Sequence, residues 1–457
     1  RFSVEIVGEL VPEVYKNKNV YDCYINYYLS LQDEKALCYA SGKIVACSDN
    51  HPAKIRTTAD SAKLISSNDS SGFTYRGRLR TPDEVACIGY EISQKAHNAL
   101  KWLISKQGFH CDEQWYIVFE NHAKKIISIN EGTFDMLFKG HTDEPEYLNS
   151  VDIAYTGSEY AAVVKKYIFN SSKEIPSNSN VVIMGLEAAT PGRLSITLYQ
   201  KLDTSAYFDK VQNWHETCCW NLVTKITDKN DKKYEKYINY VGTPSVRDIV
   251  TAVCGEKASD KIKKDVFKRV MACIIDAKPI PRDMIFSLSS FASTPYPISE
   301  KYSYQKNLQI ACALIRKYYN DKNKREVFTV ALNTENTSRD YLFGRLLATA
   351  QKLEETALYA AGENRETSAE RLHKQFAQKP SRTWKVIYEN LLPYIQRLKT
   401  SGKNYYSTQI NNILAQFDEN DFTSTASLSP IYLLSYSSQL FEYNNFKKAE
   451  ILTEKDD

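Results

Sequence analysis

A helical pattern continues from Ser245 to the end of the 457-residue chain and limits the possible folds more than any other part of the sequence. Apolar residues recur there at helical spacing, and the pattern is interrupted at the proline-containing stretch 278–281 and at the polar stretch 320–325. The connections between segments are short, which favours antiparallel helical neighbours. We therefore expect the C-terminal part of the chain to be entirely helical.

Five helices are expected between residue 337 and the C-terminus. Their starts are marked by residues that commonly cap helices or occupy the first turn. The expected starts are Thr337 or Ser338, Thr367 or Ser368, Ser381 after Pro380, Tyr405, and Ser429-Pro430. These segments predict a helical bundle.

Charge is distributed unevenly along this predicted bundle. Residues 339–403 hold twelve Lys/Arg and seven acids, whereas residues 404–457 hold three and eight. The pattern favours one basic face and one acidic end. A solvated helix surface explains such charges as readily as a nucleic-acid groove does.

Before Ser245, strand-like and helix-like segments alternate. A helix is expected from Thr81 to Lys106, with Thr81 as N-cap and Pro82 at the first helical position. Further expected elements are a helix at 19–30, a strand at 115–119, two strands at 181–186 and 194–199 joined by a turn, and a helix at 203–224. The predicted class is α+β, with a mixed α/β domain over 1–244, a helical connecting region over 245–325 and an all-α bundle over 326–457.

The stretch from Cys38 to Arg80 has neither the period of a helix nor the long apolar run of a buried strand. It holds seven Lys/Arg, three acids, ten Ser/Thr and three Gly. Hydroxyls and amides donate hydrogen bonds to phosphate, and Lys and Arg displace counterions from it. The stretch therefore predicts a phosphate-binding surface or, equally, a solvated loop.

The sequence contains no P-loop, dinucleotide fingerprint, HExxH motif or nucleophile elbow. The segment His215–Cys219 combines several metal-ligating residue types, but adjacent cysteines point differently and a buried cluster is favoured over zinc. His110-x-Asp112 and His141-x-Asp143 resemble pieces of metal-nuclease motifs that lack further acids. We predict no catalytic residue, metal or cofactor, and a binder or scaffold rather than an enzyme, with a metal-dependent nuclease as the weaker alternative.

Neither a signal peptide nor a run of about 18 apolar residues is found, and the ten cysteines form no short-spaced framework. We therefore expect a reduced, cytoplasmic protein without a membrane partner. Since the net charge is only +4, a polyanion would have to bind local basic patches.

An ordered set of motifs resembles the large subunit of type I-C CRISPR surveillance complexes (Cascade), over about residues 1–445. The best single marker is Tyr341-Leu342-x-Gly344-Arg345-Leu346-Leu347-Ala348. The other matching pieces are Cys38-x3-Gly42-Lys43, His51-Pro52-x-Lys54-Ile55, Ser70-Ser71-Gly72, Trp115 to Glu120, Met184-Gly185-Leu186 and Gly192-Arg193-Leu194-Ser195-Ile196.

Two departures from the family pattern accompany this resemblance. The family's opening segment, with its initiator Met, is expected ahead of Arg1. Asn68-Asp69 interrupts the Ser66–Gly72 turn, where relatives carry a more extended Gly/Ser turn.

The resemblance implies a non-catalytic subunit at the foot of a ribonucleoprotein complex. Its α/β part would lie near the guide CRISPR RNA, read the protospacer-adjacent motif in target double-stranded DNA and help to open the duplex. Its helical tail would pack beside the displaced non-target strand. The implied protein partners are the backbone and foot subunits, the small subunits and a helicase-nuclease effector recruited for antiviral defence. The alternative is a scaffold that contacts protein partners only.

We predict two nucleic-acid-binding sets. In the first, cations bind the duplex backbone and short polar side chains reach base edges, with minor-groove reading as the expected mode. The cations are Lys43, Lys54, Arg56, Arg76, Arg78 and Arg80, and the base-reading residues are Asn50, His51 and Ser71. Arg193 is either a phosphate contact or an ordinary surface residue.

The second set would hold the displaced single strand electrostatically, without sequence preference. Its members are Arg345, Lys352, Arg371, Lys374, Arg382 and Lys385. For Arg345, pairing with an acid of a neighbouring helix is the alternative.

Overall fold

The computed structural model of the chain describes residues 3–4, 13–31, 35–48, 50–66, 79–111, 113–122, 124, 126–138, 157–176, 178–190, 192–227, 235–294, 300–402 and 404–453. The chain divides into two compact units, residues 1–123 with 181–201 and residues 124–180 with 202–457. In this division residues 124–180 and 202–244 group with residues 245–457, and the boundaries expected near 244 and 325 stay predictions. The α+β class is confirmed.

Unit 1 is built around an antiparallel sheet and one long helix. Its helices are α1 (Lys18–Ser30), α2 (Pro82–Val85) and α3 (Tyr90–Gln107), preceded by a 3-10 turn at Val14–Lys16. Its strands are β1 (Lys35–Leu37), β2 (Ile44–Ala46), β3 (Phe109–Cys111), β4 (Gln114–Glu120), β5 (Asn180–Thr190) and β6 (Arg193–Asp203). Strands β3 to β6 form the sheet in chain order, and β1–β2 form a separate hairpin.

The expected helix from Thr81 to Lys106 is two helices. Thr81 does cap the first, since its hydroxyl accepts the Glu84 amide at 3.4 Å. This helix ends at Val85, and the main helix starts only after Gly89. Residues 87–89 pair instead with the β1–β2 hairpin, and a Cβ at Gly89 would lie 2.9 Å from Val45 Cγ2. Tertiary pairing therefore interrupts a segment whose local pattern is helical.

Over its described residues unit 2 is mainly helical, and it also contains a β-hairpin. The hairpin is formed by β7 (Trp220–Thr227) and β8 (Glu235–Gly242). Up to residue 323 its helices are α4 (Thr133–Phe138), α5 (Gly157–Lys173), α6 (Thr204–Thr217), α7 (Val246–Cys254), α8 (Asp260–Ile275), α9 (Arg282–Ala292) and α10 (Lys301–Asn323). The expected helix at 203–224 thus ends at Thr217, and its last part is a strand.

The C-terminal bundle follows the expected helix starts closely. Its helices are α11 (Arg339–Ala360), α12 (Ser368–Arg371), α13 (His373–Gln378), α14 (Pro380–Thr400), α15 (Tyr405–Leu414), α16 (Glu419–Thr423) and α17 (Ile431–Thr453). Thr367 and Glu370 form a capping box at the start of α12. The second expected helix is split into α12 and α13, and α16 is an additional short helix.

Helices α11 and α17 form the centre of the bundle and approach each other at Gly344. A Cβ at this position would lie 2.0 Å from the Tyr432 carbonyl oxygen and 2.1 Å from Ser435 Oγ. Only glycine permits this close approach without a shift of one helix. The Gly344 of the sequence motif is therefore a packing residue.

Candidate nucleic-acid interface

The described residues of the first predicted surface belong to unit 1, and most of them lie in the loop between β2 and α2. Residues 50–63 of this loop are held by apolar anchors, because Ile55 and Ala62 are buried in a core cluster with Leu100, Ile117 and Leu194. Burial of these two side chains directs their polar neighbours outward. Residues 50–63, which we call the anchored loop, are consequently fixed on α3 and on the four-stranded sheet.

An ion pair closes the same loop. Arg56 Nε donates to Asp60 Oδ2 at 2.8 Å and Arg56 Nη2 donates to Asp60 Oδ1 at 3.1 Å, while Nη1 donates to the Glu113 carbonyl at 2.9 Å. Burial favours a raised pKa at Asp60, but the hydrogen bonds from Arg56 and from the Ala62 amide outweigh it and the pKa is lowered. The guanidinium of Arg56 is therefore engaged in hydrogen bonds within unit 1, and little of it is exposed to bind phosphate.

His51 lies inside unit 1. Its Nδ1 is 2.8 Å from Ser93 Oγ on α3, and only 7% of the residue is exposed. The expectation that this ring reads a base edge does not fit its burial, because the Ser93 contact and the packing turn the ring inward. We assign His51 an anchoring role.

Several other predicted residues of this surface are outward-facing. Lys43, in the β1–β2 turn, is exposed, as are Asn50, Lys54 and Arg80. Lys54 adopts the left-handed conformation, with φ of 60°. Ser71, Arg76 and Arg78 lie outside the described residues.

The structure also brings together residues that are distant in sequence. Lys63 Nζ donates to Asn50 Oδ1 at 3.2 Å. Lys63 and Arg193 form a parallel bridge, in which the Lys63 amide donates to the Gly192 carbonyl and the Leu194 amide donates to the Lys63 carbonyl. We call Asn50, Lys63 and Arg193 the Asn50 cluster. The sequence prediction omitted Lys63, although it belongs to the same basic stretch.

The second predicted surface lies on the bundle of unit 2, and the six predicted cations fall into two groups. The outward-facing group is carried on the consecutive helices α12, α13 and α14. Its members are Arg371, Lys374, Arg382 and Lys385, and Lys379 is exposed on the same run of helices. We call these five residues the basic helix run.

Arg345 and Lys352, on α11, are enclosed by the bundle. Arg345 is 4% exposed, and its guanidinium donates to Gln439 Oε1 at 3.1 Å, Gln416 Oε1 at 3.2 Å and the Thr334 carbonyl at 3.3 Å. Burial lowers the pKa of Arg345.

Lys352 Nζ donates to Asn444 Oδ1 at 2.7 Å and to Glu355 Oε2 at 3.3 Å. The expectation that Arg345 and Lys352 hold DNA does not fit these positions, because the helical period turns both toward α17. The side-chain partners of Arg345 are the neutral amides of Gln439 and Gln416, not the acid that was expected as the alternative.

The His215–Cys219 segment forms a buried cluster, as the sequence favoured. His215 Nδ1 is 3.0 Å from Thr133 Oγ1, and burial lowers the pKa of His215 to about 4. Burial also raises the pKa of the Cys218 thiol. Within the described ranges no three His, Cys, Asp or Glu side chains are grouped so as to hold a metal ion. Asp112, His141 and Asp143 lie outside those ranges.

No described helix combines the length and apolar character needed to cross a membrane. Residues 1–443 match the family model described as "CRISPR-associated protein (Cas_Csd1)". No curated protein matches the chain in sequence.

Proposed function

The chain belongs to the Cas_Csd1 family of CRISPR-associated proteins, the large-subunit family of type I-C Cascade, and we propose that in such a complex it reads the protospacer-adjacent motif of target DNA. The observation that carries this proposal is the anchored loop of unit 1. Its buried apolar side chains fix the positions of Lys54 and of the Asn50 cluster. Fixed cations position a duplex through its phosphates, and a short amide side chain reads base edges.

Within this surface the residues have different roles. Lys43, Lys54 and Lys63 neutralise phosphates, together with Arg80 and Arg193. Asn50 is the base-reading residue, because it is exposed and is already oriented by Lys63. Arg56 and His51 hold the loop and touch no DNA.

The test measures binding of the assembled complex to target DNA at several salt concentrations. Replacing Lys43 and Lys54 by Ala removes two phosphate contacts, so the slope of log K against log salt is expected to become shallower by about 1.8. The loss of affinity should be similar for correct and scrambled motifs. Asn50→Ala should instead reduce the preference for the correct motif.

A matched control is Lys95→Ala, since Lys95 is exposed in the same unit but pairs with Glu91 on α3. It should leave both affinity and slope unchanged. If the Lys43/Lys54 double variant behaves like this control, the motif-reading proposal is removed and the protein-only scaffold is favoured.

For the bundle, we propose that the basic helix run holds the displaced non-target strand after the duplex opens. Its support is the exposure of four cations on three consecutive helices and of Lys379 between the second and the third. Each contact with a single strand contributes about −0.7 to the salt slope. Arg345 and Lys352 are left out of this surface because they are buried.

Charge reversal tests this second surface. The triple variant Lys374→Glu, Arg382→Glu and Lys385→Glu should reduce strand opening at least tenfold, measured by permanganate reactivity of displaced thymines. The control Lys261→Glu changes an exposed cation of α8. Strand opening that survives the triple variant would show the run to be ordinary solvated surface.

We further propose that the chain cuts no DNA and that a helicase-nuclease, recruited once the duplex is open, does so. The partners implied by the resemblance are the guide RNA, the backbone and foot subunits, and the small subunits. Cleavage by the purified chain with Mg²⁺ or Mn²⁺, abolished by EDTA, would overturn the non-catalytic part of the proposal.

A further inference from the structure

Two cysteines that are 40 residues apart in sequence meet in unit 1. The Cys87 thiol donates a hydrogen bond to Cys47 Sγ, with 2.8 Å between the two sulfur atoms, and neither cysteine takes part in a disulfide. A disulfide bond has a sulfur–sulfur distance of about 2.05 Å, so only a small further approach separates the pair from bonding.

Backbone hydrogen bonds hold the two cysteines in this position. Cys47 bridges Gly89 in antiparallel fashion, and the Ser48 amide donates to the Ile88 carbonyl at 2.9 Å. On the other side of the hairpin, the Tyr39 amide donates to the Cys87 carbonyl at 2.9 Å. The chain on either side of each thiol is thereby fixed, and the pair is pre-oriented for reaction.

We propose that Cys47 and Cys87 are an oxidant-sensitive dithiol, which a peroxide converts into an intramolecular disulfide. Cys47 reacts first, because it is partly exposed whereas Cys87 is 5% exposed. Its thiolate attacks a peroxide oxygen and becomes a sulfenic acid, and one water leaves. The Cys87 thiolate then attacks this sulfur and displaces hydroxide, which leaves as a second water. Two thiols and one hydrogen peroxide thus give one disulfide and two waters.

The position of this pair gives the disulfide a structural consequence. Cys47 and Cys87 flank residues 48–86, the segment that contains the anchored loop, so the bond would tie together both ends of that segment. Closing a loop of this length lowers the conformational entropy of the unfolded chain, so the free energy of the unfolded chain rises and the folded state is stabilised. The inference concerns the thiols alone and stands whether or not the segment contacts DNA.

Cys38 is the competing thiol in the same hairpin. Hydrogen bonds from the Ser41 hydroxyl and the Gly89 amide lower the pKa of the Cys38 thiol to about 7, which favours its reactive thiolate. Cys38 is fully buried, however, and its sulfur is occupied by the Gly89 amide at 3.1 Å. We therefore expect Cys38 to remain reduced while Cys47 and Cys87 couple.

Peptide mapping of the full chain distinguishes these pairings directly. After brief treatment with hydrogen peroxide and alkylation of the remaining thiols, trypsin cleavage after Lys35, Lys43, Lys54, Arg80 and Lys95 separates the cysteines. Cys47 lies on peptide 44–54, Cys87 on 81–95 and Cys38 on 36–43. The expected product is a 44–54/81–95 pair that a reducing agent splits, in at least tenfold excess over any pair containing Cys38 or the exposed Cys23.

Single variants and thermal unfolding complete the test. Cys47→Ser and Cys87→Ser should each abolish the linked pair, whereas the control Cys23→Ser should retain it. Oxidation should raise the melting temperature of unit 1 by on the order of 5–10 °C in the unmodified chain and leave it unchanged in either pair variant. The proposal would be overturned by any of three results: a dominant disulfide that contains Cys38, no linked peptides at all, or linked peptides without a rise in melting temperature.

Discussion

The anchored loop of unit 1 and the C-terminal bundle of unit 2 carry similar basic side chains, but the exposure of these side chains has a different cause in each. In the bundle the helical period places cations, so α12 to α14 expose theirs while α11 buries Arg345 and Lys352. In the loop no period exists, and exposure depends on which neighbours are anchored in the core, as Ile55 and Ala62 are. A basic residue of this protein can therefore be chosen as a candidate DNA contact only when its burial is known.

The comparison can be challenged most strongly at the contact between α11 and α17. Gly344→Ala would place a methyl group 2.0 Å from the Tyr432 carbonyl, and one of the helices would have to shift. We expect a loss of about 4 kcal/mol in the free energy of unfolding, measured by urea denaturation. The control Gly192→Ala in unit 1 meets no atom within 4 Å and should change stability by less than about 0.5 kcal/mol. Similar stabilities for the two variants would contradict close packing as the basis of the bundle.

A second prediction concerns the pH dependence of the bundle. His373 is buried between the hydroxyls of Tyr304 and Tyr432, each 3.2 Å away, and burial lowers its pKa to about 3. Because the unfolded pKa is near 6.5, the unfolded chain binds the proton first as pH falls. The stability contribution is full above pH 6.5 and declines by about 1.4 kcal/mol per pH unit below it, until the folded pKa near 3 is reached.

Hydrogen exchange at pH 7, 5 and 4 measures this dependence separately in the two units. His373→Gln keeps hydrogen-bonding groups but cannot titrate. The stability of the bundle should therefore fall less steeply with decreasing pH in this variant. An unaltered pH dependence would assign the titration to another group.

The third prediction separates buried from exposed cations. Arg345→Met leaves Gln439 and Gln416 without their donor, and we expect a loss of about 2 kcal/mol in unfolding free energy. Arg382→Ala, on the exposed face of α14, should change stability by less than about 0.5 kcal/mol and weaken strand holding. The comparison fails if Arg345→Met weakens strand holding without lowering stability.

The smallest expected effect concerns the ion pair of the loop. Arg56→Lys keeps the charge but loses the two-pronged contact with Asp60, and it should cost about 1 kcal/mol of stability in unit 1. The lowered pKa of Asp60 means that its contribution is present above its unfolded pKa, near 3.9, and is lost as pH falls through the folded pKa. Urea denaturation at pH 7 and pH 3 should therefore show a smaller difference between variant and unmodified chain at pH 3.

The fold class and most helix starts of the bundle could be predicted from the amino-acid sequence. Thr367 or Ser368, and Ser381 after Pro380, were expected as helix starts, and the helices begin within one residue of them because capping and first-turn preferences act over three or four residues. The ordered motifs likewise indicated the family over nearly the whole chain.

Which polar and basic groups are exposed depends on contacts that form when the whole chain folds. The break before α3, the strands β7 and β8, the burial of His51 and the meeting of Cys47 with Cys87 all depend on partners far away in sequence. Each local segment is compatible with more than one outcome, and the choice follows from which arrangement buries apolar surface while satisfying backbone hydrogen bonds. That balance is set by the whole fold, so no window of a few residues contains it.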